Sequence, residues 1–259
     1  MTITVDPDWW KSMFDEVYLL TDARSVCDHA LTQKEVDLVV ALLPILPHHR
    51  ILDLCGGHGR HSHELRARGI AGCVLQDYSH VLLAHARREG EGVSRRLDCV
   101  LSDARNTGFL SGTFDHVLIM GNSLGYLAEP DADREIIMEC HRLLRRSGWV
   151  LLDLTDGDYV RKRFAPRAWH EIGSDVLVCR EREMREGAIS VREVVLSKSM
   201  GLIRDRTYAI RFYDGDAVRV LLSQAGFEDI RIISDFSPHA AEGDYGFMNS
   251  RMIACGRKV

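Results

Sequence analysis

The hydrophobic positions of the chain fall into two regimes. Between residues 50 and 154, short and nearly continuous apolar runs alternate with segments whose apolar positions repeat every three to four residues. The runs are Arg50–Leu54, Cys73–Gln76, Leu97–Leu101, Phe114–Met120 and Trp149–Leu154. The helical segments are Arg60–Arg68, closed by Gly69; Ser79–Arg88, capped by its own serine; and Asp131–Leu144. Apolar strands with no polar face, separated by helices, require a parallel sheet covered on both sides. Between Trp169 and Tyr213 the period shortens to two: DVLVCRERE, ISVREVVLS and RTYAIRFY alternate as antiparallel strands with one wet face do. Asp216–Ala225 restores a helix, and Ile230–Ile233 and Ser250–Cys255 predict two last strands. Upstream, WWKSMFDEVYLL (9–20) has helical spacing. Thr32 and Glu35 read as a capping box for a helix that ends near Pro44 or Pro47.

The fold expected is α/β: a doubly wound, seven-stranded mixed sheet with a β-rich insertion between strands five and six. With no repeat, low-complexity tract or linker to divide it, the chain reads as one domain over 1–259. Residues 1–48 form a helical cap and 156–213 a β-rich lid.

Composition narrows the class. Of 259 residues, 46% are hydrophobic and 27% charged, which excludes disorder, collagen and coiled coil as descriptions of the whole. No apolar run approaches the roughly 18 residues of a membrane span. The start, MTITVDPDWWKSMFDE, has no basic segment followed by an apolar one, so no secretory leader is expected. A net charge of -5 argues against a protein that coats a nucleic-acid backbone. The seven cysteines are scattered, odd in number and never CxxC, which suits inert thiols in a reducing cytoplasm. His58, His61 and His63 read as solvated loop and helix-start residues. Metal ligation is a poor second, because the 61/63 spacing points the rings apart, and no metal is expected.

The chemistry concentrates in ILDLCGGHGRHSHEL, Ile51–Leu65. A buried strand ends in Asp53, turns through Cys55, Gly56, Gly57, His58 and Gly59, and opens a helix at Arg60. Glycines let a ligand approach the backbone, and the helix start offers free N–H groups to its anionic parts. Two further acids sharpen this generic turn. Asp77, followed by Tyr78, closes the second strand, where a carboxylate can take both hydroxyls of a ribose. Asp103 follows the third strand, beside Ala104, placed to accept from an adenine amino group. Strand C-termini of a doubly wound sheet face one crevice, so the three acids meet one ligand. Each acid alone is more simply a strand-end cap; the three together are not. A nicotinamide-binding fingerprint would need a glycine at position 62, which is Ser62.

With these residues the chain resembles the class I S-adenosylmethionine (SAM)-dependent methyltransferases, and within them a bacterial small-molecule branch. The matching stretches are FDEVYL at Phe14–Leu19, LDLCGGHGRH at Leu52–His61, GNSLGYL at Gly121–Leu127 and RFYDGDAVRVLLSQAGF at Arg211–Phe227. The resemblance runs from about Trp9 to the C-terminus. It departs at Cys55, His58 and Ala217, where the family has Gly, Thr and Glu. It implies a Rossmann-like methyltransferase fold and SAM as cofactor, with S-adenosylhomocysteine (SAH) as product. Gly57, Gly59, Cys55, Gly56 and Arg60 would cradle the methionine moiety, whose amino group Asp53 organises. Asp77 and Tyr78 would hold the ribose, and Asp103 and Ala104 the adenine. Met120, Gly121 and Asn122 would pass beside the sulfonium, and Tyr18 would fold over the cofactor.

Methyl transfer from a sulfonium is an in-line displacement in which alignment supplies about 7–11 kcal/mol of the barrier. An amine acceptor needs only to arrive unprotonated, whereas a hydroxyl needs a base. The fourth-strand exit GNSLGY lacks the N/D-P-P-Y of nucleobase and amide methyltransferases, so a small-molecule N or O acceptor is expected and no nucleic acid. Tyr126, Trp169 and Arg211 are candidates to bind it, Arg211 through a carboxylate or phosphate, and His170 or Tyr213 to act as base. Each has a plainer reading: Arg211 paired with a nearby acid, His170 a satisfied histidine. His239 is a further candidate, and Trp9, Trp10 and Phe14 are either pocket or core. The arginine-rich insertion (RKRF, CREREMRE) is most simply a solvated face. Two other functions stay open: a cofactor-binding regulatory module without turnover, and a peptide or protein methyltransferase. Oligomeric state is not encoded in any pattern found.

Overall fold

The structure is a computed structural model that describes residues 2–22, 27–90, 96–185, 187–237, 239 and 246–259. Met1 and residues 23–26 of the expected cap lie outside them, as does most of the segment around His239. Five parallel strands form the core: β1 (Arg50–Leu54), β2 (Gly72–Asp77), β3 (Asp98–Leu101), β4 (Phe114–Ile119) and β5 (Leu144–Thr155). β10 (Phe227–Phe236) and β11 (Arg251–Lys258) complete the sheet in the order β10-β11-β5-β4-β1-β2-β3, with β11 antiparallel to both neighbours. The strand order reverses beside β1, which pairs with both β2 and β4, and the crevice outside their C-terminal ends opens there.

Helices α4 (Arg60–Ala67), α5 (His80–Glu89) and α6 (Ala132–Leu143) cross between the strands. They cover two apolar layers, one centred on Leu52, Val117 and Leu152, the other on Ile51, Leu75 and Leu151. Neighbouring strand residues thus pack into opposite layers, which is why these strands carry no polar face. The predicted runs fall on these strands to within a few residues, except that β5 starts five residues earlier, at Leu144.

The N-terminal segment departs from expectation. Residues 9–20 form two short helices, α1 (Trp10–Met13) and α2 (Glu16–Thr21), because Asp15 breaks the first and caps the second through Val17 N (2.9 Å) and Tyr18 N (3.1 Å). The next helix, α3 (His29–Leu42), is capped by Asp28, whose side chain accepts from Leu31 N. Thr32 and Glu35 therefore lie inside α3, buried, and form no capping box.

The insertion is an antiparallel sheet of β6 (Arg167–Ile172), β7 (Val176–Arg185), β8 (Ala188–Ser197) and β9 (Gly201–Arg211), in that order, preceded by α7 (Gly157–Lys162) and followed by α8 (Gly215–Gln224). It is stitched to the main sheet at two glycines. Arg211 N donates to Gly125 O (2.7 Å), and a Cβ on Gly125 would stand 2.3 Å from Arg211 O. Gly157 N likewise donates to Tyr213 O (2.9 Å). Arg161, Arg163 and Arg185 of the insertion are exposed, as expected of a solvated face, but others of its arginines are not. Arg180, Arg182, Glu193 and Arg204 project inward with Val178, Val191 and Val195 and are buried or nearly so. Glu193 pairs with Arg180 (2.8 Å) and Arg204 (3.3 Å), and these reach Asp22 and Asp15 at the two ends of α2. Among the described residues, no helix is long and apolar enough to cross a membrane.

Candidate cofactor and acceptor site

The glycine turn after β1 is held by β2. Cys55 N donates to Gln76 Oε1 (3.1 Å), Gly56 N to Gln76 O (3.0 Å), and Gly57 N to Asp77 Oδ2 (2.8 Å). Gln76, whose amide also donates to Ser102 O, is a clamp that sequence reasoning missed. Cys55, Gly57 and Gly59 have φ of 56°, 61° and 79°, so the chain curls tightly enough to present successive amides. A Cβ at Gly56 would stand 2.5 Å from Asp53 Cγ, so only glycine lets the loop lie directly on that carboxylate.

A cavity of about 1030 Å³ opens against this turn. Its lining brings together Tyr18, Cys55, Gly56, Gly57, Arg60, Asp77, Tyr78, Asp103, Ala104, Met120 and Gly121. Asp77 accepts from Gly57 N and Ser79 N (2.7 Å), yet burial pushes its carboxyl up to about 6. Asp103, at the cavity's other end, is held below the ordinary carboxylate value by its hydrogen bond with Arg105. Burial pushes the Cys55 thiol well above its usual range, so it is no nucleophile.

Two expected members are placed otherwise. Asp53 is fully buried beneath the loop, where it accepts from Ser62 Oγ (2.8 Å) and does not line the cavity. Gly59 likewise shapes the turn from behind: a Cβ there would lie 2.9 Å from Leu75 Cδ2.

A second cavity, of about 900 Å³, lies between the sheet and the insertion. It shares Phe14, Tyr18, Arg60, Gly121 and Tyr126 with the first. Asn122 belongs to this second cavity; its φ of 64° follows from a backbone N–H given to Asp153 O and a side-chain oxygen that accepts from Thr155 N (2.8 Å). Trp9, Asp22, Arg180, Arg182, Glu193, Tyr208 and Arg251 also line it. Only Trp9 among these seven was singled out in the sequence. The parity of β7 held a signal for two more, since Arg180 and Arg182 share the inward face of Val178.

Four acceptor-site expectations are corrected. Arg211 and Tyr213 line neither cavity; both side chains converge on the buried Asp133 of α6, which also accepts from Gly125 N (3.0 Å). Docking the end of β9 on Gly125 aims Arg211 at the first turn of α6, and the Tyr213 hydroxyl reaches the same carboxylate. Burial and that carboxylate raise the Tyr213 phenol far above neutrality. His170 is buried with Nε2 3.3 Å from Thr21 O, and Trp169, on the edge strand, is two-thirds exposed; neither is in the lining of these two cavities. His239 is half-buried and also outside both linings.

The His58–His63 cluster is corrected as well. His58 and His61 are buried, and His61 Nε2 lies 2.9 Å from Glu35 Oε2. Glu35 also meets Arg60 and Arg251 Nη1 (2.5 Å). Burial opposes its ionisation, but these cations together hold the Glu35 carboxyl well below its usual value. Behind it Asp153, raised by burial, lies 3.0 Å from Arg251 Nε and accepts from Gly121 N (2.9 Å). Among the described residues no cluster of His, Cys, Asp and Glu has metal-site geometry.

A doubly wound sheet with a glycine turn and acids at successive strand ends defines a nucleoside-binding α/β protein. Residues 51–148 match the profile of a methyltransferase domain. A glycine/sarcosine N-methyltransferase of Aphanothece halophytica is 24% identical over 246 residues, 93% of this chain and 90% of its own length. A SAM-dependent methyltransferase from Clostridium acetobutylicum superposes with a TM-score of 0.73 at 13% identity, over 93% of this chain and 96% of that one. An amino pentose methyltransferase from Micromonospora echinaspora, solved with SAM bound, gives 0.64 at 17% identity, over 89% and 91%. The chain is a SAM-dependent methyltransferase of the class I fold.

Proposed function

We propose that the protein transfers a methyl group from SAM to the nitrogen of a small molecule bound in the second cavity. The carrying observation is the shared wall: Phe14, Tyr18, Arg60, Gly121 and Tyr126 border both cavities, so a group on one side meets a group on the other. The first cavity suits the cofactor. Asp77 takes the ribose hydroxyls, Asp103 and Ala104 the adenine, and the amides of the turn the methionine end; Asp53 acts from beneath, by shaping the loop. Bound SAM supplies a methyl group already activated on sulfur.

The protein's own residues then align and exclude water. Among the described residues no histidine, cysteine or lysine lines the second cavity, and the acids that do, Asp22 and Glu193, are both paired with Arg180. The phenols of Tyr18, Tyr126 and Tyr208 are all raised by burial. That lining has no base matched to a hydroxyl, whereas an amine reacts once it has lost its proton to solvent. A regulatory module without turnover would have no use for an acceptor-sized space beside the first cavity. The small-molecule reading also agrees with the names of the relatives, which act on glycine, sarcosine and an amino pentose.

Isothermal titration with SAH is expected to show micromolar-range binding that Asp77→Ala abolishes. With a panel of small amines and SAM, His170→Ala and Tyr213→Phe are expected to retain turnover. Absence of binding by both SAM and SAH would overturn the cofactor assignment, and loss of turnover in either variant with its fold intact would restore a base.

A further inference from the structure

Glu35 lies fully buried in α3 and lines neither cavity, yet each of three side chains that meet its carboxylate lines one or both. His61, with Nε2 2.9 Å from Oε2, borders the first cavity. Arg251, with Nη1 2.5 Å from Oε1, borders the second. Arg60, also on Oε2, borders both. Arg60 is gripped from behind at Nη1, which donates to Glu35 and to Thr32 Oγ1 (2.9 Å). Its Nη2 lies toward the shared wall, where a Cβ on Gly121 would stand 3.9 Å away. The chain of contacts closes on the same glycine, since Arg251 Nε is 3.0 Å from Asp153 Oδ1 and Asp153 Oδ2 accepts from Gly121 N (2.9 Å). Stability alone does not call for such a hub, because apolar side chains of similar volume often serve a core as well or better. What a bridging carboxylate supplies is direction for the guanidiniums it holds.

We propose that Glu35 is a positioning residue for cofactor binding: it holds Arg60 so that the outer edge of the guanidinium meets the α-carboxylate of SAM. The proposal rests on the function proposed above, which puts SAM in the first cavity. With adenosine at Asp77 and Asp103, the amino-acid end of SAM falls at the turn where α4 opens. Among the described residues, Arg60 is the one arginine or lysine in that lining. A guanidinium pairs with a carboxylate through a planar fork, so its orientation decides how much of the pairing is realised. Ordering a long arginine side chain at each binding event would cost affinity. Glu35, braced by Arg251 on its other oxygen, fixes that side chain before the ligand arrives. Charge alone does not explain the arrangement, since a carboxylate behind Arg60 lowers the positive potential that a second carboxylate meets; the gain lies in geometry.

The test compares SAH with methylthioadenosine, which keeps the nucleoside and the sulfur but lacks the amino-acid end, by titration calorimetry on the folded variants. Glu35→Asp keeps the charge and draws the carboxylate back by one methylene, out of the bridge between Arg60 and Arg251. It is expected to bind SAH about 2- to 30-fold more weakly, the range of a coupling carried by a hydrogen-bond network, and to bind methylthioadenosine as wild type does. Arg60→Lys is expected to show the same selective loss, and Glu35→Asp added to Arg60→Lys to cause no further one. Wild-type SAH affinity in Glu35→Asp, equal losses for both ligands, or additive losses in the double variant overturns the proposal and leaves the methyltransferase reading standing. Wild-type SAH affinity in Arg60→Lys overturns it as well, whether or not Glu35→Asp folds. Failure of the wild-type protein to bind SAH overturns the reading beneath it.

Discussion

Replacing Asp77 by Asn is expected to make the protein more stable and worse at holding its cofactor. The carboxylate is buried at the end of β2 and is pushed from 3.8 up to about 6, burial outweighing the amides of Ser79 and Gly57. Because its folded value lies above its unfolded one, the native state binds the extra proton between those two pH values, and stability falls as pH rises through that window. Above it the ionised group costs the native state about 3 kcal/mol, at about 1.4 kcal/mol per tenfold change. Asn mimics the protonated form and escapes that cost. At about 2–4 °C per kcal/mol for a chain of this size, the variant should melt up to about 10 °C higher at pH 7.5 without ligand. The gain should shrink on acidification and vanish near pH 4. SAH affinity should fall about 10- to 150-fold, since a charged acceptor facing hydroxyls contributes about 1.5–3 kcal/mol. Differential scanning calorimetry across pH 4–8, with titration calorimetry at pH 7.5, measures both. A variant less stable than wild type above pH 6, or one with unchanged SAH affinity, would refute the reasoning.

Two other substitutions test the frame around the site. Gly56→Ala forces a methyl to 2.5 Å from Asp53 Cγ and Leu75 Cδ1, and overpacking of this kind costs about 1–3 kcal/mol; a lower melting temperature together with weaker SAH binding is expected, and wild-type values for both would mean the loop does not rest on Asp53. Glu35→Gln leaves Arg60, His61 and Arg251 without their common carboxylate, a loss of about 3–5 kcal/mol. Because the folded Glu35 carboxyl lies below its unfolded value, that stability is complete above the ordinary glutamate range and is lost as pH falls through the folded value. Urea unfolding should therefore show a constant gap between wild type and Glu35→Gln from pH 6 to 8 that closes only in strong acid; a gap that closes near neutrality would contradict the buried-hub geometry.

The strands, the glycine turn and Asp77 and Asp103 were legible in the sequence because local pattern and topology place them. An apolar run must be a buried strand, and parallel strands bring their C-terminal residues to one crevice whatever the side chains do elsewhere. Asp53 shows where this reasoning stops: its strand position was readable, but the packing of Gly56 and Ser62 puts its carboxylate under the loop and not in the cavity. Thr32 and Glu35 carry the local signature of a helix start, yet Asp28 takes the cap and Glu35 becomes the partner of Arg251, 216 residues away. Arg211 and Tyr213 were placed correctly on one side of the chain, but only the docking of β9 on Gly125 decided that this side meets Asp133.

The sequence by itself thus determined the sheet and the kind of ligand its crevice takes, since periodicity and strand-end chemistry are properties of contiguous residues. The tertiary structure decided the second cavity. Its rings come from the two residues that flank α1, from α2, β9 and the loop after β4, and its guanidiniums from α4, β7 and β11. No spacing along the chain encodes how such distant elements face one another; that is set by the way the insertion packs across the sheet.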